Sequence, residues 1–221
     1  MPKISKEESL ARRNEIIDAC EELYRAESYH DITMTQVASK VSFGRANVYN
    51  YFQGKDEILL ALLQREHELW AASLVRLEER GPLADADLAE GLAQSVDERV
   101  QMLKLLAMNL YDIEQNSRLD SLVEFKHTYG AAIQALRSLI ATSKPQWDEA
   151  RMDRFVFAFM PFLHGVYPYA FHSEKQLAAM KEAGITQPGL TIREMVRSMT
   201  LKLLQEDWGC RLDAPVIEYQ Q

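Results

Sequence analysis

The chain has 221 residues, 47% of them hydrophobic, and a formal net charge of −8. This is enough apolar material for a substantial core, which excludes an intrinsically disordered chain. The two cysteines, Cys20 and Cys210, lie near opposite ends with no CxxC pair and no His/Cys cluster at zinc-holding spacing, which excludes a disulfide framework and a structural metal centre and fits a reducing cytoplasm.

No apolar run near the start precedes a small-residue cleavage site, so an export signal is not expected. Ser5 and Glu8 have the S-x-x-E spacing of a capping box and predict a helix over about 6–27. Its buried stripe is Ile16, Ile17, Cys20, Leu23 and Tyr24. Thr33 and Gln36 repeat the capping-box spacing, and Val37, Ala38 and Val41 follow at the interval of a short helix over about 34–40. After the interruption Ser42-Phe43-Gly44, the segment RANVYNYF predicts a third helix of two turns, packed through Val48 and Phe52. Gln53-Gly54 breaks the chain, Asp56 and Glu57 favour a helix N-terminus, and a long fourth helix is expected over about 55–79, stopping at Gly81-Pro82.

Beyond Pro82 every segment has helical periodicity, with breaks expected near Asn116–Ser117, Thr142–Pro145, Ser173 and Gly184–Gly189. The charge-free stretch from Phe155 to Phe171 is shorter than the roughly 20 apolar residues of a membrane span. It also carries Pro161, His164, Gly165 and Pro168, so it is expected to be a buried or subunit-facing helix. The residues from Asp213 onward are expected to be a loose tail. The fold class is therefore all-α, with a three-helix head over residues 1–54, a larger helical body over 55–212, and the tail 213–221.

A short helix, a tight turn and a second short helix suit DNA because the second can enter the major groove, roughly 12 Å wide, while the first braces against the backbone. The acidic net charge opposes phosphate binding, but its distribution resolves the conflict. From Ile32 to Lys55 there is no Asp or Glu, while Lys40, Arg45 and Lys55 are present. After residue 55 there are 17 basic against 25 acidic residues. A cationic face on an acidic body binds DNA locally and repels it elsewhere. Thr33, Thr35 and Lys55 are the expected phosphate contacts, through hydroxyls, helix-start N–H groups and charge. Arg45 can donate bidentately to guanine, and Asn47 or Asn50 can pair with adenine, each worth roughly 1–3 kcal/mol of discrimination. Gly44, Ala46, Tyr49 and Tyr51 complete the candidate surface.

The segment resembles the N-terminal domain of the tetracycline-repressor (TetR/AcrR) family. The likeness is carried by Thr33, Val37-Ala38 and the run VYNYFQGKDEIL from Val48 to Leu59. It covers about residues 10–70, and the remaining body matches by length and helix pattern. The resemblance implies a homodimer whose last two long helices form an intersubunit four-helix bundle, and a body that binds a small effector. Ser42 stands where the family usually has glycine, Gly44 where it has serine, and Ala46-Asn47 where it has Gly and Thr or Ser. A serine held at positive φ would strain the turn by on the order of 1 kcal/mol.

In the body, Val100–Tyr111 and Phe155–Phe162 are apolar around most of their circumference and are expected inside. Met102, Leu106, Phe125, Tyr129, Phe155 and Phe159 are the candidate lining of an effector pocket, with Asn109, His127 or His164 as polar contacts. The helices over about 148–172 and 190–206 are the candidate dimer interface. No GxSxG, phosphate-binding glycine loop or HExxH is present, and the five histidines have no spacing that selects a metal, so neither an enzyme nor a cofactor is expected. The expected function is a ligand-responsive repressor acting on a palindromic DNA operator. The competing class is a helical ligand- or partner-binding protein whose DNA-reading head is inactive. Salt-dependent binding to DNA separates the two.

Overall fold

The computed structural model describes residues 5–205, so Cys210 and the tail expected from Asp213 lie outside the described residues. Ser5 starts α1 (Lys6–Ala26) by accepting the Glu8 N–H at 3.1 Å. The other half of the expected capping box is replaced, because the Glu8 carboxylate receives Arg12 at 2.7 Å from one turn ahead. The chain continues through α2 (Met34–Ser39), a 3-10 helix (Arg45–Asn50) and α3 (Lys55–Glu78), which ends near Gly81 at φ 80, a conformation that glycine adopts without cost. There follow α4 (Asp85–Asp97), α5 (Val100–Met108), α6 (Leu110–Gln115), α7 (Leu119–Ser143), α8 (Glu149–Ala170), α9 (Glu174–Glu182) and α10 (Ile192–Gln205). No strand occurs among the described residues, and none of their helices is long and apolar enough to cross a membrane.

The chain forms two compact units. The first comprises residues 1–71 and 99–132. Its core gathers the α1 stripe Ile16, Ile17, Cys20, Leu23 and Tyr24 with Ile58, Leu59, Leu62 and Leu63 of α3 and Met102, Leu103, Leu105 and Leu106 of α5. Each buried Leu, Ile or Met among these is an apolar side chain removed from water, a gain of about 1.5–3 kcal/mol apiece before entropy is counted. The expectation that Val100–Tyr111 lies wholly inside is corrected. The run breaks at Asn109 into α5 and α6, which leaves Met108 55% and Tyr111 77% exposed.

The second unit comprises 72–98 and 133–221. There α10 packs on α4 and α8. Ile192, Val196, Leu203 and Leu204 meet a core that includes Leu88, Leu92, Phe155, Phe159 and Leu163. Gly91 permits close approach on α4, since a Cβ there would stand 2.6 Å from Leu77 Cδ2. Arg193 and Arg197 both pair with Glu90, and Arg137 with Glu149 and Asp153. The helix α8 runs through Pro161 and Pro168, started by Asp148, which accepts the Arg151 N–H at 2.7 Å. Phe155–Phe162 is likewise not wholly interior: Phe157 is 68% exposed and Pro161 faces solvent.

Candidate nucleic-acid interface

The helix α2 and the 3-10 helix have six residues each, and helices so short do not hold themselves together in water. Burial fixes them: Val37 and Val48 are fully buried, and Ala38 and Phe52 nearly so, while Val41 is only half-buried. Thr33 starts α2 with both halves of a capping box, accepting the Gln36 N–H at 3.3 Å and donating its own N–H to Gln36 Oε1 at 2.8 Å.

The turn departs from its expected strain. No non-glycine residue among those described has positive φ, and Gly44 itself is extended at φ −61 and ψ 136. The physical reason is an anchor on α1. The Glu15 carboxylate accepts both the backbone N–H and the hydroxyl of Ser42, the latter at 3.0 Å. A serine that supplies two donors to a carboxylate is held in place without a left-handed residue. Arg12 lies 5.3 Å from the Phe43 ring centre and reinforces the same corner.

The third helix has the two turns expected of it, wound as a 3-10 run of six residues. Asn47 N–H reaches Gly44 O at 2.9 Å and Tyr51 N–H reaches Val48 O at 3.0 Å. The segment has no side-chain cap, and Val48 is its one buried residue, so little rewards the wider α-turn. This places Arg45, Ala46, Asn47, Tyr49 and Asn50 at the surface, with Tyr49 49% exposed.

Arg45 donates to Thr35 Oγ1 at 2.6 Å, which brings together a candidate base contact and a candidate phosphate contact. Asn50 donates to Asn47 Oδ1 at 3.5 Å. Tyr51 is half-buried, its ring 6.3 Å from that of Phe43. Lys55 donates to the Tyr29 carbonyl at 2.6 Å and lies 4.1 Å from the centre of its ring. In these hydrogen bonds Arg45 and Lys55 meet uncharged oxygens, which leaves their charge for an anion, whereas Lys40 pairs with Glu22 at 2.7 Å.

Four residues absent from the sequence-based set organise this surface: Glu15, Tyr29, Glu57 and Arg118. Tyr29 donates to Asp56 at 2.6 Å, and burial together with that carboxylate pushes its phenol above the ordinary range. Burial would raise Glu57, but hydrogen bonds from the Arg118 side chain and from the backbone N–H groups of Gln53 and Arg118 outweigh it and hold the carboxyl below its usual value. Glu57 was visible only as a helix-start acid, and the capping function of Glu15 had no local signal. Ser42 stands 27 residues from Glu15 and Arg118 stands 61 from Glu57.

Of the candidate effector residues, Met102, Leu106, Phe125 and Tyr129 lie in the first unit. There the His67 ring meets Phe125 at 5.6 Å and Tyr129 at 5.5 Å, edge to face. Phe155 and Phe159 lie in the second unit, buried and stacked at 5.6 Å. Asn109 accepts the Tyr24 hydroxyl at 2.9 Å, His127 is exposed and His164 is half-buried. An open cavity of about 650 Å³ in the second unit is lined by Tyr169, Leu177, Met180, Ile185 and Leu190, none of them in the expected set.

Comparison with known proteins bears on what this arrangement is for. Residues 16–62 match the model of the tetR family of bacterial regulatory proteins, and residues 64–205 that of the tetracyclin repressor-like C-terminal domain. The HTH-type transcriptional repressor Rv1474c of Mycobacterium tuberculosis is 28% identical over 72 residues, 33% of this chain and 38% of that protein. The HTH-type transcriptional regulator TtgW of Pseudomonas putida is 39% identical over 70 residues, 31% of this chain and 52% of that protein. The matched stretches thus span between a third and about half of those relatives' lengths. Among solved structures, the fatty acid degradation regulator FadR from Bacillus halodurans aligns with a TM-score of 0.61 at 14% identity, over 88% of this chain and 95% of that one. A TetR transcriptional regulator from Rhodococcus sp. RHA1 aligns with a TM-score of 0.56 at 12% identity, over 90% and 98%. At these identities the likeness is one of fold.

Proposed function

The chain belongs to the tetR family of bacterial regulatory proteins, DNA-binding transcriptional regulators that are not enzymes, and we propose that it is a cytoplasmic repressor. In this proposal it binds a palindromic operator as a homodimer and is released by a small, largely apolar effector. The observation that carries the proposal is the outward row Arg45, Ala46, Asn47, Tyr49 and Asn50, held by buried Val48 within an acid-free segment.

Arg45 and the two asparagines read base edges, while Thr33, Thr35, Gly44 and Lys55 orient the head on phosphates, with Tyr49 and Tyr51 at the margin. The head is residues 1–54, and the helices from 55 onward form the effector-binding and dimerising body. The effector-facing residues are Met102, Leu106, Phe125 and Tyr129 of the first unit. Two reading segments must reach successive major grooves about 34–36 Å apart, which requires a dimer. Exposed Phe157, Pro161 and Tyr169 on α8 support an interface through α8 and α10.

Mobility-shift titration with DNA flanking the chain's own gene tests the function. Binding that weakens steeply with salt supports it. Binding that is absent at low salt, from a protein with intact helical content, favours an inactive head.

A further inference from the structure

Glu57 is 3% exposed at the start of α3, and its carboxylate holds three segments of the first unit together. Its Oε2 accepts the backbone N–H of Gln53 at 2.8 Å. Its Oε1 accepts the Arg118 side-chain Nε–H at 2.5 Å and the Arg118 backbone N–H at 3.3 Å. Gln53 lies two residues beyond Tyr51, the C-cap of the reading segment. The N–H groups of Tyr51 and Phe52 both close on Val48 O, at 3.0 and 3.1 Å, and the next N–H is the one that Glu57 takes. Arg118 is where α7 begins, since its carbonyl accepts the Leu122 N–H at 3.0 Å.

The helix α6 is thereby bracketed. Before it, Asn109 accepts the Tyr24 hydroxyl of α1 at 2.9 Å. Beyond it, Arg118 holds Glu57 of α3. A six-residue 3-10 helix without a side-chain cap has little intrinsic rigidity, so its orientation depends on such outside anchors. The guanidinium side chain is 43% exposed while its carboxylate is 2% exposed, so the cation can leave for water but the anion cannot.

We propose that Arg118 is a positioning residue for DNA reading: through Glu57 it fixes the Gln53 end of the reading segment, so the α6–α7 turn sets operator affinity without touching DNA. This rests on the DNA-binding function proposed above and adds the regulation of that same site.

The test uses full-length wild type, Arg118→Ala, Arg118→Lys, and the neutral pair Glu57→Gln with Arg118→Gln. The last avoids a buried unpaired carboxylate should Arg118→Ala fail to fold. The probes are amide hydrogen exchange at Gln53 and the affinity, across salt concentrations, for a DNA fragment that wild type retains from its own genome. Loss of the pair is expected to speed Gln53 exchange about tenfold relative to core amides such as Leu136, and to weaken binding by about the same factor. The slope of log affinity against log salt stays unchanged, and Arg118→Lys recovers part of both effects.

Unaltered Gln53 exchange overturns the proposal, as does faster exchange with unaltered affinity. A salt slope shallower by about one also overturns it, because Arg118 would then be a direct phosphate contact. If wild type retains no DNA, the function proposed above fails, while Gln53 exchange still judges the link to Arg118.

Discussion

Arg45 is exposed and its hydrogen bond ends on a hydroxyl, so its removal costs the fold little, and under the proposed function the cost falls on the DNA complex. Arg45→Ala is expected to keep its helical content and melting temperature while losing roughly 1–3 kcal/mol of discrimination between operator and random DNA. Competitive gel-shift titration reads this, and unchanged sequence preference removes Arg45 from the reading set. Cys20 is fully buried, and burial, little offset by nearby Lys55, pushes its thiol up to about 12. In a Cys210→Ser background it is expected to resist a thiol reagent at neutral pH until the protein unfolds, because the thiolate is the reactive form. Rapid native labelling contradicts that burial. For Glu57 the folded pKa is depressed, so its stabilisation is complete above the unfolded value of about 4.3 and fades as pH falls through the lower folded value. The stability gap between wild type and Glu57→Gln, from urea denaturation, should therefore be constant near neutrality and close below about pH 4. A gap independent of pH excludes the ion pair as its source.

At the scale of elements, the hinge between α2 and the reading segment rests on one acid. Glu15→Ala removes the acceptor of two exposed Ser42 donors, which water can then satisfy, and is expected to cost about 0.5–1.5 kcal/mol. The loss should concentrate in the head: amides of residues 41–48 exchange faster while those of α10 do not. Uniform acceleration in both units argues against a local anchor. Most helices were legible because their signals are local. The Thr33–Gln36 capping box, the α1 stripe and Gly81 act within a few residues of where they stand. The type of the third helix was not, because a 3-10 run and an α-turn share the same apolar residue, Val48, and differ only in what else is buried. The family pattern suggested a strained Ser42, but its relief comes from Glu15, on another helix. The break at Asn109 was hidden within a continuous apolar run, and its Tyr24 contact needs the fold to exist first. The outward positions of the reading segment followed from the inward Val48 and Phe52, whereas the Glu57–Arg118 pair joins residues 61 apart and has no sequence signature.

At the scale of the whole molecule, charge is partitioned along the chain. The window from Ile32 to Lys55 carries cations without acids, and the acidic excess lies beyond it. Under the proposed function this partition attracts phosphate at the reading segment and repels it elsewhere, which favours a specific contact over coating of the duplex. The most direct measurement is selection of fragments from a genomic DNA library by the purified protein, followed by sequencing of what is retained. The proposed function predicts one enriched palindromic motif with half-sites centred about 10 base pairs or a multiple apart, lost when Arg45→Ala is used instead. Retention with no motif enriched over the input library, or an enriched motif that Arg45→Ala selects equally well, contradicts it.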